Sequence, residues 1–490
     1  MATILSDDGH DVTIVLPWTD EPDIQKSEKY SLLFYNTSMS RQQEQAVYAD
    51  VTETSAGDLA AGQVPPSVGM LFGERCRTLL FDKHVQARIA DLKPQLAIVN
   101  GAMACVSAHL VHIGVPFIEY CSFPLIHMLC GHHHGVPAPP SFVPDGFFSP
   151  DVHKSFFGRV LNTLVYMFGP KLMSLFLFQH TEALVARYLA EHGLPHKDLY
   201  TLRSEASFVL VNGDTTFESI RPILPKVVYV GGIQCATAKP LQGELAEFVG
   251  GSGSGGIIVF SIGGVIESVP HQFLEMFMEI FRELPQRVVW KLKNVPPHLR
   301  QRASKNIKFM EWLPQQDLVG HPSTQLFITH GGIQGSFESI CHGVPTLGID
   351  FNLDQVSNIM ILVSKGMALH AGNSKTLQKE DVERKIVQLI TDSSYKENAV
   401  KARTLFFDKQ RTPAQRLCYA VNYTLRHNGA RHLTSKAALE MNWFQYHSVD
   451  VILFNFVVVS VAAIFIYYFL KFCFGKCYRR CFGLRRAKLD

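Results

Sequence analysis

Twenty consecutive residues near the C-terminus, "VILFNFVVVSVAAIFIYYFL" from Val451 to Leu470, carry no charge and only Asn455 and Ser460 as polar interruptions. That is enough apolar length to cross a bilayer as one helix, and unlike a buried core helix it keeps no polar face. Lys471, Lys476, Arg479, Arg480, Arg485, Arg486 and Lys488 follow, against Asp490 alone. A basic flank of this kind places the tail in the cytosol and the residues before about 448 on the lumenal side, a single-pass type I arrangement.

The overall charge of +3 therefore hides a slightly acidic remainder, and nothing in it marks a nucleic-acid binder. A chain of 490 residues, 47% apolar and 18% charged, is folded and too long for one ordinary core. Its opening, "MATILSDDGHDVTIVLP", has neither the basic start nor the apolar run of a signal peptide. Met1 to Asp8 reads as the last turns of an amphipathic helix stopped by Gly9, with a strand after it. The expectation is an N-terminally truncated chain.

The ten cysteines suggest neither a disulfide framework nor a zinc site, and Cys105, Cys121 and Cys341, beside apolar runs, read as buried thiols. Cys473, Cys477 and Cys481 suit juxtamembrane palmitoylation. His132, His133 and His134 cannot all face one ion, and they lead into the loop-like "GVPAPPSFVPD".

Short β-rich runs ("VTIVLP", "SLLFYN", "QLAIVN", "PFIEYCS", "SFVLVNG", "VVYVGG") alternate with helical stretches in the first half. "GIIVFSIGG", "RVVWKL", "NIKFMEWL", "QLFITH" and "PTLGID" repeat the pattern in the second. Parallel sheets wrapped by helices follow from it. Phe273, Leu274, Phe277, Ile280 and Phe281 draw one apolar helical face. Between the halves, the Gly/Ser end of "AKPLQGELAEFVGGSGSGG", residues 250–256, reads as a flexible joint. The expected class is α/β, with two Rossmann-like doubly wound domains facing across a cleft: 1–237, a linker 238–256, 257–440, then a membrane helix 449–471 and a basic tail 472–490. Residues 155–178 are strongly apolar but broken by Gly169-Pro170 and interrupted by Arg159 and Lys171. Helices beside an apolar acceptor site or lying on a membrane surface fit them better than a second span.

In "FITHGGIQGSFESICHGVP", from Phe327 to Pro345, a strand runs into two glycines and then a helix, whose free N–H groups face the turn. Such a corner holds an anion, most often phosphate. Trp312 in "FMEWLPQQDL" can stack on a base and Gln315 can bond to it or its sugar. Glu338, one helical turn after Gly335, can accept from ribose hydroxyls, and "NLDQ" supplies Asp354 and Gln355.

This ordered set resembles the nucleotide-sugar signature of the UDP-glycosyltransferase family, above all the membrane-bound UDP-glucuronosyltransferases. "VVYVGGIQCATAKPLQGELAEFV", "GIIVFSIGG", "GVPAPPSFVPD" and the terminal helix are similar to further family segments, so the likeness covers nearly the whole chain from Gly9. It implies a glycosyltransferase B fold in which Trp312 stacks on uracil, Gln315 and Glu338 bind ribose, and His330 with the Gly332 backbone meets the diphosphate. Gln334 and Ser336 belong to the same corner, and Asp354 and Gln355 hold sugar hydroxyls. It implies no metal and no cofactor beyond the UDP-sugar co-substrate. It also implies a small lipophilic acceptor, inverting transfer of glucuronate or glucose, residence in the endoplasmic reticulum membrane, and homo- or hetero-oligomers with family members.

Three positions depart from the pattern: Gln334 stands for a phosphate-binding asparagine, Gly264 for a serine, and Asp350 for a proline. The family's base histidine is expected upstream of Met1, and Asn100 in "LAIVNG" occupies the place of the aspartate that orients it. His10, in the "GHDVT" turn, is structural. An active enzyme, a non-catalytic relative that binds UDP-sugar or pairs with active members, and a lipophile carrier are the three readings; the full donor signature disfavours the last. Asn36 and Asn422 head glycosylation sequons on the expected lumenal side, with Asn422 the better placed.

Overall fold

The computed structural model describes residues 1–23, 26–55, 66–145, 148–263, 269–351 and 353–483. They form two compact units, Met1–Thr434 and Ser435–Asp490. In the first unit lie β1 (Thr13–Pro17), β2 (Ser31–Tyr35), β3 (Ala97–Asn100), β4 (Phe117–Cys121), β5 (Val209–Val211) and β6 (Val227–Tyr229). It also holds β7 (Ile257–Ser261), β8 (Arg287–Lys291), β9 (Ile307–Met310), β10 (Thr324–Thr329), β11 (Thr346–Asp350) and β12 (Ala368–Asn373). β1 pairs with β2, and a separate parallel sheet runs β3-β4-β5-β6.

The second parallel sheet has the order β12-β11-β10-β7-β8-β9. The chain leaves β7 in one direction and returns to β10 on its other side, so a topological switch point opens between the C-terminal ends of β7 and β10. β7 is buried at all five positions because helices cover both faces, and its unbroken apolar run is the signature of such a strand. Phe273, Leu274, Phe277, Ile280 and Phe281 of the helix His271–Glu283 are all buried against it and against Trp290. The first helix, Ala2–Asp7, stops before Gly9, whose φ of 91° a side chain would strain.

Several elements differ from the sequence reading, each for a tertiary reason. Residues 243–250 are a helix whose Leu245 and Val249, one turn apart, bury beside Ile257 and Val259, and the glycines after it form a turn, not a free joint. The helix Phe156–Leu177 runs unbroken through Pro170, which it buries with Gly169; its outer face exposes Phe157, Leu161, Leu164, Phe168, Leu172 and Phe176. β12, "ALHAGN", has no β-branched run to announce it and is held by its ladder to β11.

The cysteines are the largest correction. Cys76 pairs with Cys105, Cys121 with Cys130, and Cys235 with Cys341. Disulfide partners are set by proximity in the fold, and separations of 29, 9 and 106 residues gave no spacing signal. The His132–His134 stretch is likewise no open loop: it is a 3-10 turn that buries His133 and His134. His134 Nε2 lies 3.3 Å from Glu119, which Arg203 grips through Nε at 3.0 Å and through a second, short contact from Nη2. Burial alone would raise the Glu119 pKa, but Arg203 and His134 hold the carboxyl far below its usual range, and burial pushes His134 down to about 4.

The helix Pro413–Arg426, late in the chain, packs Leu417, Ala420 and Val421 against Ile118, Phe208 and Leu210 of the first half. Asn422 in that helix donates to Asp8 at 2.8 Å and Thr424 is fully buried, whereas Asn36 is exposed after β2. Of the two sequon asparagines, Asn36 is the more exposed and Asn422 is half-buried. In the second unit the helix Val449–Gly483 continues past the apolar run into the basic stretch. Its 35 residues span about 52 Å, well over the ~30 Å of a bilayer core.

Candidate functional site

At the switch point the sequence builds a corner from backbone. β10 buries Leu326, Phe327 and Ile328 completely, then ends at Thr329. Gly331 turns the chain with φ 79°, and a Cβ there would lie 2.5 Å from Ile359 and 2.9 Å from the Gln355 carbonyl. Gly332 is the N-cap of the helix Ile333–His342, and no side chain caps that end. Its free N–H groups and positive dipole end are therefore available to an anion. Buried Asn358 donates to the Gly331 carbonyl at 3.1 Å, which keeps that acceptor occupied and the turn fixed.

His330 fills the gap between two glycines. A Cβ on Gly263 would come within 2.6 Å of its ring and one on Gly332 within 2.5 Å, so only hydrogen fits on either side. Burial, reinforced by the Lys291 ammonium, pushes the His330 pKa down to about 4, with a Ser261 backbone hydrogen bond opposing. The imidazole is neutral at pH 7, and its Nδ1 is buried. A neutral ring beside a helix N-terminus is suited to a ligand's polar group.

Lys291, at the end of β8, joins the corner to the aromatic platform. Its Nζ donates to the Gly263 carbonyl at 3.0 Å and lies 4.6 Å from the centroid of the Trp312 ring. Trp312 itself is 75% exposed, a costly placement for an indole without a partner and a suitable one for stacking. Gln315 opens the next short helix and donates to Glu338 Oε2 at 2.6 Å. Burial raises the Glu338 pKa while that bond opposes it.

The remaining expected residues are placed less uniformly. Gln334 is exposed in the first turn of the corner helix. Ser336 is buried and bonds back to the Gly332 carbonyl at 3.2 Å. Gln355 is buried, its Oε1 accepting from Phe351 N at 2.9 Å. Asp354 is the second residue of the helix Leu353–Ser364, but its side chain, like the whole of Gly264, lies outside the described residues. Asp350, where the pattern has proline, is buried and bound to His370 and, at 2.9 Å, to Asn373. Sequence reasoning passed over Lys291 and Asn358, whose roles depend on which loops meet; a lysine closing a buried strand was the available signal.

The helix is also pinned from behind. Cys341 is tied to Cys235, and Phe337 packs against Phe217 with ring centroids 5.1 Å apart and planes tilted by 42°. Lys409 bonds buried Asp214 at 2.5 Å. On the first half, Asn100 ends β3 and uses its Oδ1 to accept from Ala102 N at 3.0 Å and from Ser122 Oγ at 3.3 Å. His109, half-buried, is held by the Tyr188 hydroxyl at 2.8 Å, and His10 lies 3.5 Å from Asp8.

Known proteins are similar to this chain in sequence and in architecture. The family model described as UDP-glucoronosyl and UDP-glucosyl transferase matches residues 1–486. UDP-glucuronosyltransferase 2A3 of Cavia porcellus is 32% identical over 394 residues, 80% of this chain and 73% of that protein. UDP-glucuronosyltransferase 1A6 of Homo sapiens is 30% identical over 496 residues, 98% and 88% of the two chains. The crystal structure of Os79 from O. sativa in complex with UDP superposes with a TM-score of 0.60 at 16% identity, covering 86% of this chain and 95% of that one. A kitacinnamycin glycotransferase gives 0.54 at 15%, covering 88% and 93%. The architecture is of the glycosyltransferase B type, and with a family match along almost its entire length the chain belongs to the UDP-glucoronosyl and UDP-glucosyl transferase family.

Proposed function

We propose that the protein transfers glucuronate or glucose from a UDP-sugar to a hydroxyl of a small lipophilic acceptor, with inversion and without a metal, from the lumenal face of the endoplasmic reticulum membrane. The observation that carries this reading is the corner at the switch point. There a neutral His330 ring, an uncapped helix end and an exposed Trp312 support the reading of a held diphosphate and base. Trp312 stacks on the base, Gln315 and Glu338 take the ribose, and Gln334 and the Gly332 backbone face the phosphates. Asp354 and Gln355 serve the sugar, Gln355 once it turns from Phe351. The apolar outer face of Phe156–Leu177 suits contact with acceptor or lipid.

Neutral His330 makes the reading testable by pH. With its pKa near 4, the ring gains no charge between pH 5.5 and 8, so affinity for an intact UDP-sugar should not rise on acidification across that range. Calorimetric titration at several pH values checks this. Affinity that climbs on acidification through about pH 6.5 would mean an ordinary, charging histidine.

Asn100 favours a second reading, a relative that binds UDP-sugar without transferring it. Its amide oxygen is engaged in a turn, and an amide cannot stabilise an imidazolium as a carboxylate does. Transfer to a lipophilic phenol by the full chain in detergent, with UDP-glucuronate and UDP-glucose in parallel, decides between them. Because the base histidine is expected upstream of Met1, the comparison is made on a chain extended to carry it, in which Asn100→Asp should raise turnover by tenfold or more with UDP affinity unchanged. No transfer from either form, with UDP still bound, would establish the non-catalytic reading.

A further inference from the structure

On the surface of the second half, three side chains from two elements point their ligand atoms at one spot. His271 and Glu275 stand one turn apart on the helix His271–Glu283, and His298 is the second residue of the helix Pro297–Arg302. His271 Nε2 and His298 Nε2 are 2.9 Å apart. Glu275 Oε1 lies 3.1 Å from the His298 nitrogen and 3.8 Å from that of His271. Two neutral imidazoles cannot both present N–H across so short a gap, so at least one offers its lone pair.

The arrangement has the size a small metal ion requires. A circle through the three atoms, drawn from those separations, has a radius of about 1.9 Å. A tetrahedral zinc with bonds of about 2.0–2.1 Å needs three ligands on a circle of about that radius, with the fourth position off their plane. The rings converge as ligands do: their centroids are 4.7 Å apart while their Nε2 atoms are 2.9 Å apart, so both rings aim nitrogen edges inward. Arg302 holds the other carboxylate oxygen of Glu275 at 2.5 Å, which fixes the carboxylate and leaves Oε1 facing the histidines.

The geometry points to a divalent transition-metal site of zinc type formed by His271, Glu275 and His298, with its fourth position open to solvent. The ion would cross-link the helix after β7 to the helix after β8, the strands that deliver Gly263 and Lys291 to the donor corner. Two imidazoles and a single carboxylate select zinc or cobalt over magnesium or calcium, which require more oxygen ligands. The site uses none of the donor residues, so it does not depend on the reading of that corner.

Cobalt(II) titration of the full chain in detergent micelles, followed by visible absorption, is the test. The wild type should take up one equivalent with the intense spectrum of four-coordinate cobalt, displaced by zinc and not by magnesium. His271→Ala and His298→Ala should each weaken binding at least tenfold and abolish that spectrum, while Arg302→Ala retains it. These side chains are largely exposed, so the variants keep the fold, and an unchanged thermal midpoint without metal verifies it. Absence of saturable cobalt binding by the wild type overturns the assignment. So does an undiminished spectrum in the His271→Ala/His298→Ala double variant.

Discussion

Arg203→Met should destabilise the first unit by about 3–5 kcal/mol, the cost of leaving a buried carboxylate without its counter-ion. Glu119 is almost completely buried, and the Arg203 charge is the largest single influence that keeps it ionised there. His134 is too weak a substitute, because burial holds it neutral at pH 7. The guanidinium also donates to the Leu129 carbonyl at 3.1 Å, so β4 and the turn containing His132–His134 loosen together. Thermal unfolding should show a midpoint lower by roughly 3–6 °C. The double variant Glu119→Leu/Arg203→Met should recover much of that loss, since removing both charges leaves no unpaired one. A midpoint unchanged in Arg203→Met would mean that Glu119 takes up a proton at little cost.

The second large effect is expected in the donor corner. Gly332 has φ −60°, a value any residue adopts, so Gly332→Ala introduces no backbone strain. Its methyl would stand 2.5 Å from His330 Nε2, and the ring cannot retreat because Gly263 closes its other side. The imidazole must leave its place between the two backbones, taking the ring out of the corner. UDP affinity should fall about a hundredfold, equivalent to ~2.7 kcal/mol, with little change in thermal midpoint. Calorimetry and a melting curve on the same preparation separate the two quantities. Retained affinity would mean that His330 and the Gly332 backbone do not meet the ligand.

What could be read from the sequence was whatever depends on near neighbours. Continuous apolar runs such as "IIVF" announced strands covered on both faces, and the 3.6-residue spacing of Phe273, Phe277 and Phe281 announced the helix that covers one of them. The His-Gly-Gly turn was legible because a left-handed φ and an uncapped helix start both leave local marks. Contacts between distant segments left none. Nothing near Cys235 points to Cys341, 106 residues away, and nothing in "GHHHG" says that Glu119 and Arg203 wait beneath it. Pro170 misled because proline usually ends a helix, yet here it lies buried inside one. Lys291 escaped notice because its importance comes from Gly263 and Trp312, which only the fold brings to it.

The central claim, that this corner and its aromatic platform hold a UDP-sugar, is tested most directly by titrating UDP into the full chain with a chelator present, for the wild type, Trp312→Ala and Glu338→Ala. Trp312 is exposed, so its truncation removes stacking without opening a cavity, and Glu338→Ala removes the ribose acceptor while freeing Gln315. The account predicts saturable one-site binding by the wild type and affinity more than tenfold weaker in each variant. Equal affinity for all three proteins would contradict it.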